Sequence, residues 1–121
     1  MTNNQHPNKY DLEERTLAFA KQIIHLCQVL PQNTVNFKLI DQLIRSSGSI
    51  GANYREANDA LGRKDFVQRL RISRKEAKET IFWLELVLEA NPKQEITIIE
   101  LKNECIELRN ILSAIIKKVI E

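Results

Sequence analysis

The chain has 121 residues, 43% of them hydrophobic and 28% charged, so it can bury one core and is too apolar to stay disordered. Its formal net charge of +2 is too small by itself to imply a polyanionic partner. Met1–Asp11 is polar and carries no signal-peptide pattern, and no apolar run approaches the ~20 residues of a membrane span. The expectation is a cytoplasmic protein with no membrane segment. Three glycines and three prolines leave little material for turns, which favours long helices with short connections.

In chain order, residues 1–10 read as a frayed N-terminus, and residues 11–121 as one domain. Asp11 and Glu14 have the spacing of a capping box, which predicts that the first helix starts at Asp11. Leu12, Phe19, Ala20, Ile23, Cys27 and Leu30 follow at three- and four-residue steps, and Pro31 ends the run. After a short connection at residues 32–34, a second helix is predicted from about Val35 to Ala60.

This second helix holds the most informative stretch, Gln42–Asn58. Ser46, Ser47, Gly48, Ser49, Gly51 and Ala52 crowd its middle. A mid-helix glycine costs roughly 1 kcal/mol relative to alanine. The stretch could split the helix at Gly48. We read it instead as continuous, with neighbours approaching closely on two faces, one bearing Ser47 and Gly51 and the other Gly48 and Ala52.

Gly62 is placed to break the chain before a third helix that starts at Arg63 or Lys64 and runs to about Ala90. Its inward seam reads Phe66, Leu70, Ser73, Ala77, Ile81, Leu84 and Leu88. From Ile81 to Leu88 it is apolar nearly all round. A helix buried on all sides needs neighbours on all sides, and a four-helix monomer leaves each helix one outward face. Phe82, Trp83, Leu86 and Val87, with Gly48 and Ala52, are therefore the expected oligomer interface; irregular packing under the loops is the alternative. Asn91-Pro92 marks the next turn, and the start of the fourth helix is open by several residues. Its seam is Ile98, Leu101, Cys105, Leu108, Leu112, Ile115 and Val119, widened by Ile111, Ile116 and Ile120. Cys27 and Cys105 fall on apolar faces, which fits reduced core thiols better than a disulfide. The expected fold is an all-α, antiparallel, up-down-up-down four-helix bundle.

The segments QLIRSSGSIGANYREAN and DFVQRLRISRKEAKETIFWLELV closely resemble the four-helix-bundle family of 23S rRNA intervening-sequence proteins, which are small bacterial proteins. The matching positions are Ser47, Ser49, Asn53 and Glu56 in the second helix, and Lys75, Glu76, Ala77, Glu79, Trp83 and Leu84 in the third. The likeness covers roughly residues 30–116. It implies a bundle that assembles into a ring-like homopentamer. The chain is also similar to the accessory subunit of diversity-generating retroelements, a pentameric barrel that binds a reverse transcriptase and nucleic acid.

Between Leu61 and Lys78 the chain carries seven basic residues against two acidic ones. At 100° per residue, Lys64, Arg71, Lys75 and Lys78 fall within about 60° of one another. With Arg63 and Arg74 they are the candidate nucleic-acid contacts, and structured RNA is the candidate ligand; a solvated helix face is the plain alternative. A second group, Asn53, Glu56, Glu76 and Glu79, is expected to form an interhelix polar network that fixes register, with Tyr54 nearby; a charged site on an interface or channel lining is the alternative. An oligomeric scaffold that recruits an acidic protein partner is the other functional reading. The two histidines, His6 and His25, have no metal-ligand spacing around them, and no phosphate loop, dinucleotide fingerprint or nucleophile elbow occurs. No enzyme activity, metal or cofactor is expected.

Overall fold

The computed structural model describes residues 9–121, with side chains from Leu12 onward. All its regular structure is helical. α1 spans Lys9–Val29, α2 Thr34–Asn58, α3 Arg63–Ala90 and α4 Glu95–Ile120, and a 3₁₀ turn over Pro92–Gln94 leads into α4. α1 begins two residues ahead of Asp11, so the expected capping box is not the helix start. The frayed segment proposed for residues 1–10 otherwise lies outside the described residues.

Each helix packs on its chain neighbour, and α1 closes the set against α4. The contacts descend one helix as they climb the next. Between α2 and α3 they join Asn36 to Asn91, Ser46 to Thr80, and Ile50 to Ser73. Between α3 and α4 they join Glu85 to Lys102, Ala77 to Cys105, and Arg74 to Ser113. Along these two seams, α2 with α3 and α3 with α4, the contacts run in opposed chain order, and one core lies between the helices, from Phe19, Ile23 and Leu26 through Leu43 and Ile50 to Leu84, Leu108 and Leu112.

α2 is a single unbroken helix through Gly48 and Gly51. Its small residues do receive two neighbours, one on the expected Ser47–Gly51 face and the other on the Ser46–Ile50 side instead of the Gly48–Ala52 face. α1 comes in over Gly51: a Cβ there would stand 2.8 Å from Thr16 Oγ1 and 3.1 Å from Thr16 Cβ. α3 comes in over Ser46 and Ile50. The Ser46 and Thr80 hydroxyls hydrogen-bond at 2.9 Å, and the buried Ser73 hydroxyl donates to the Ile50 carbonyl at 2.7 Å. Gly48 and Ala52 face outward, and nothing lies within 4 Å of a Cβ built on Gly48.

The ends of the helices are fixed by asparagines. Asn33 caps α2, its side-chain oxygen accepting from Asn36 N at 2.8 Å. The buried amides of Asn36 and Asn91 bond each other reciprocally at 2.9 Å. The remaining amide protons go to the carbonyls of Pro31 and Val87. Both side chains are thereby satisfied away from water, as buried amides must be. Gly62 precedes α3 in an extended conformation open to any residue, so the break there does not depend on glycine.

Along α3 the inward face is turned slightly from the expected seam. Val67, Glu76, Thr80 and Val87 join Leu70, Ser73, Ala77 and Leu84 inside, while Phe66, Ile81 and Leu88 are only partly buried. α4 follows its predicted seam from Ile98 to Leu112; beyond it Ile116 is inside, Ile115 and Val119 are only partly buried, and Ile120 is exposed. Cys105 is buried and Cys27 half-buried, and both are free thiols. Burial pushes them up, to about 12 and about 11 respectively.

The two α2 glycines should respond oppositely to the same change. Gly51→Ala drives a methyl into Thr16, whose hydroxyl is held by the Leu12 carbonyl at 2.9 Å, and should cost about 1–3 kcal/mol. Gly48→Ala removes a helix glycine in open space and should gain up to about 1 kcal/mol. Urea denaturation of the two variants checks both signs.

Candidate nucleic-acid interface

Helical spacing puts Lys64, Arg71, Lys75 and Lys78 on the face of α3 that points away from the core, and all four are exposed. None forms an ion pair with a described residue. Lys64 and Arg71 also border a shallow hollow of about 1000 Å³ at the α2–α3 turn, with Leu61, Val67 and Ile120 among its walls. The other two expected contacts are differently placed. Arg63 donates to the Val119 carbonyl at the end of α4. Arg74 is half-buried between α3 and α4, its guanidinium 3.4 Å from Ser113 Oγ.

Two of the chain's paired cations are held by similar clamps, which the sequence did not reveal. Arg15 of α1 spans Glu104 and Glu107 of α4, with bonds of 2.7 and 2.8 Å to Glu104 and 2.7 Å to Glu107. Arg45 of α2 spans Glu76 and Glu79 of α3, at 3.3 and 3.0 Å. Each uses two glutamates three residues apart, which share a helix face, and one planar guanidinium that can reach both. The hydrogen bonds that the guanidiniums donate to the glutamates raise both arginine pKa values, Glu104 contributing most at Arg15 and Glu79 most at Arg45.

The four residues expected to form the polar network are not brought together. Glu76 and Glu79, both on α3, reach across the α2–α3 seam to Arg45. Asn53 instead donates to the Ser49 carbonyl at 2.9 Å on its own helix, and Glu56 is exposed. The Ser46–Thr80 and Ile50–Ser73 register sets Glu56 well toward the α2–α3 turn, out of reach of Glu76. Tyr54 belongs to the α1 side, where Asn58 donates to Glu13 at 2.7 Å. It forms part of a hollow of about 770 Å³ bounded by Leu12, Phe66, Ile111, Ile115 and Val119. Desolvation raises its phenol pKa.

Of the expected oligomer-interface residues, Val87 is 0% exposed and belongs to the core of a single chain, where it cannot meet a neighbour. Trp83 is half-buried against the same core, and its Nε1 is a buried side-chain polar atom without a hydrogen-bond partner. Phe82 is 53% exposed and Leu86 37%, both on the outer surface with Gly48 and Ala52. The sequence reading missed a second apolar surface. Leu17 and Ile24 of α1 and Phe37 and Ile44 of α2 are all exposed, and their seven-residue spacings align them along the outer side of the α1–α2 pair.

Comparison with known proteins follows from this geometry. The profile of the 23S rRNA-intervening sequence protein family matches residues 8–114. The chain belongs to that family. A crystal structure of a protein of unknown function from the S23 ribosomal protein family of Bacteroides thetaiotaomicron superposes with a TM-score of 0.79 at 35% identity, covering 90% of this chain and 97% of that one. A search of curated proteins finds no match. The family match extends the residue-level resemblance N-terminally through α1. Among the described residues, no helix is long and apolar enough to cross a membrane, and no cluster of three or more His, Cys, Asp or Glu could hold a metal ion.

Glu76 is the buried member of the Arg45 clamp, with a side chain only 11% exposed. Arg45→Ala leaves that carboxylate without its cation and should lower the melting temperature. Adding Glu76→Gln should recover part of the loss, because a neutral amide is easier to bury alone. Thermal melts of the single and double variants check the order.

Proposed function

We propose that this family member is a non-enzymatic RNA-binding protein that grips phosphates through the outward face of α3. The observation that carries the reading is the gathering of unpaired basic side chains on one exposed helix face. Many of the chain's cations have no carboxylate within 4.0 Å among the described residues, but Lys64, Arg71, Lys75 and Lys78 are both unpaired and within about 60° of one another on the outward side of α3. Unneutralised cations on one helix face suit a phosphate backbone, and their affinity for it is salt-dependent and largely indifferent to sequence. The family's name, with its reference to 23S rRNA, supports structured RNA as the ligand.

We further propose that the chain works as a ring-like homo-oligomer, as the family resemblance implies. The α1–α2 strip of Leu17, Ile24, Phe37 and Ile44 is the self-association surface, which leaves the α3 faces open and repeated around the assembly. Repetition multiplies the local charge well beyond the net +2 of one chain.

Binding of a structured RNA across a salt series tests the first proposal. A log–log slope of about −3 is expected for the four cations of one subunit, and steeper slopes if several subunits engage. An Arg71/Lys75/Lys78→Glu variant should lose binding while keeping its oligomeric state. Absence of binding at low salt by an assembled protein would overturn the RNA reading and leave an acidic protein partner as the occupant of the same face. Sedimentation analysis tests the second proposal: Ile24→Glu with Ile44→Glu should release folded, still helical monomers.

A further inference from the structure

The outward face of α3 carries more than cations. Phe82 lies four residues after Lys78, seven after Lys75 and eleven after Arg71, spacings that return to the same side of a helix. At 100° per residue, Phe82 falls in the middle of the band set by the four free cations. The residue is 53% exposed, where burial would normally be expected of so large an apolar group. It is also braced. The Trp83 indole, packed against the core, meets it edge to face with centroids 5.2 Å apart and an interplanar angle of 73°. The Phe82 ring therefore has one side steadied by the protein and another turned outward.

The neighbouring charges give the face a direction. Along the axis, Lys78 stands about 6 Å from Phe82 on the side toward the α2–α3 turn, and Lys75 about 10 Å. On the other side, Glu85 is paired with Lys102 at 3.1 Å, and the exposed Glu89 ends the cationic run. Phosphates are thus favoured only on the side of Phe82 where Arg71, Lys75 and Lys78 lie. An acidic protein segment would match the cations as well, but would leave the flat aromatic face without a use. A nucleotide offers both parts at once: a phosphate for the lysines and a π-face for the ring.

We infer that Phe82 is a stacking platform for an unpaired base, and that the α3 face selects RNA with accessible loop or bulge nucleotides over uniform duplex. This rests on the RNA-binding reading above. In a duplex the bases are already stacked on one another, so Phe82 has no base to receive and only the phosphate contacts remain. In a loop, a splayed base can lie on Phe82 while its neighbouring phosphates meet Lys75 and Lys78. Exposed Leu86, at the next turn, offers a small apolar shoulder beside the ring.

The test compares an RNA stem–loop with a blunt duplex of the same stem, at one salt concentration, using the full-length protein and a Phe82→Ala variant of verified oligomeric state. The stem–loop should bind about tenfold tighter than the duplex, the equivalent of about one stacked base. Phe82→Ala should abolish that difference without weakening duplex binding, and Phe82→Trp should preserve it. Leu86→Ala, which removes exposed apolar surface without an aromatic ring, should leave most of the preference in place. Equal affinity for the two RNAs, with Phe82→Ala neutral, would overturn the stacking role and leave the phosphate-binding reading standing. Loss of both affinities in Phe82→Ala would also overturn it, since that result marks a general contact. Binding of neither RNA at low salt would overturn the RNA reading itself, and the stacking role with it.

Discussion

The thinness of α2 is the constraint from which the rest of the bundle follows. Two helices come to within backbone distance of it, α1 over Gly51 and α3 over Ser46 and Ile50. Larger side chains at Gly51 or Ser46 would hold the neighbours apart and open voids that the core could not fill. The two approaches are made differently. Against α1 the contact is steric, a glycine under a β-branched threonine. Against α3 it is polar, with Ser73 reaching the Ile50 carbonyl and Ser46 meeting Thr80. That hydroxyl seam demands a single register, because a shift of α3 would leave buried hydroxyls unbonded.

Once that register is set, the remaining charges have little freedom. Glu76 and Glu79 arrive opposite Arg45, and the Asn36 and Asn91 amides meet at the far end of the same seam. The carboxylates of α3 that face α2 are spent on Arg45. The carboxylates of α4 that face α1 are spent on Arg15. On the outward side of α3, away from both clamps, four cations stand together without a described counter-ion. The binding surface we propose is that cluster, which the interhelix clamps do not reach.

Much of this was legible in the sequence, for identifiable reasons. Four long helices followed from apolar periodicity and from the scarcity of glycine and proline. The unbroken α2 followed from reading its small residues as places of close approach. The cations of α3 were visible from spacing alone. The misses share a cause, which is that hydrophobicity ranks residues poorly where a seam is polar. With Ser73, Glu76 and Thr80 on the inward side of α3, the apolar run from Ile81 to Leu88 gives no clear signal for which flank turns in, and Val87 was placed outside. Glu76 was matched to Glu56 and Asn53 because partner choice depends on register, which the Ser46–Thr80 bond sets and no local pattern reports. The Asn36–Asn91 pair joins residues 55 positions apart, each of which reads locally as a cap or turn residue. The α1–α2 strip was overlooked because Leu17, Ile24, Phe37 and Ile44 belong to two helices, and neither pair alone stands out from ordinary surface apolarity. Phe82 was seen as apolar and assigned to an interface. Its place among the cations becomes evident only when the outward face of α3 is considered as one surface.

The central claim is that ligand and architecture use opposite faces of α3. Photocrosslinking of a 4-thiouridine-substituted RNA stem–loop, with mass-spectrometric mapping of the attached peptides, tests it most directly. The account predicts crosslinks concentrated between Arg71 and Phe82, at loop uridines more than stem uridines. Crosslinks concentrated on the α1–α2 strip, or spread evenly over the surface, would contradict it.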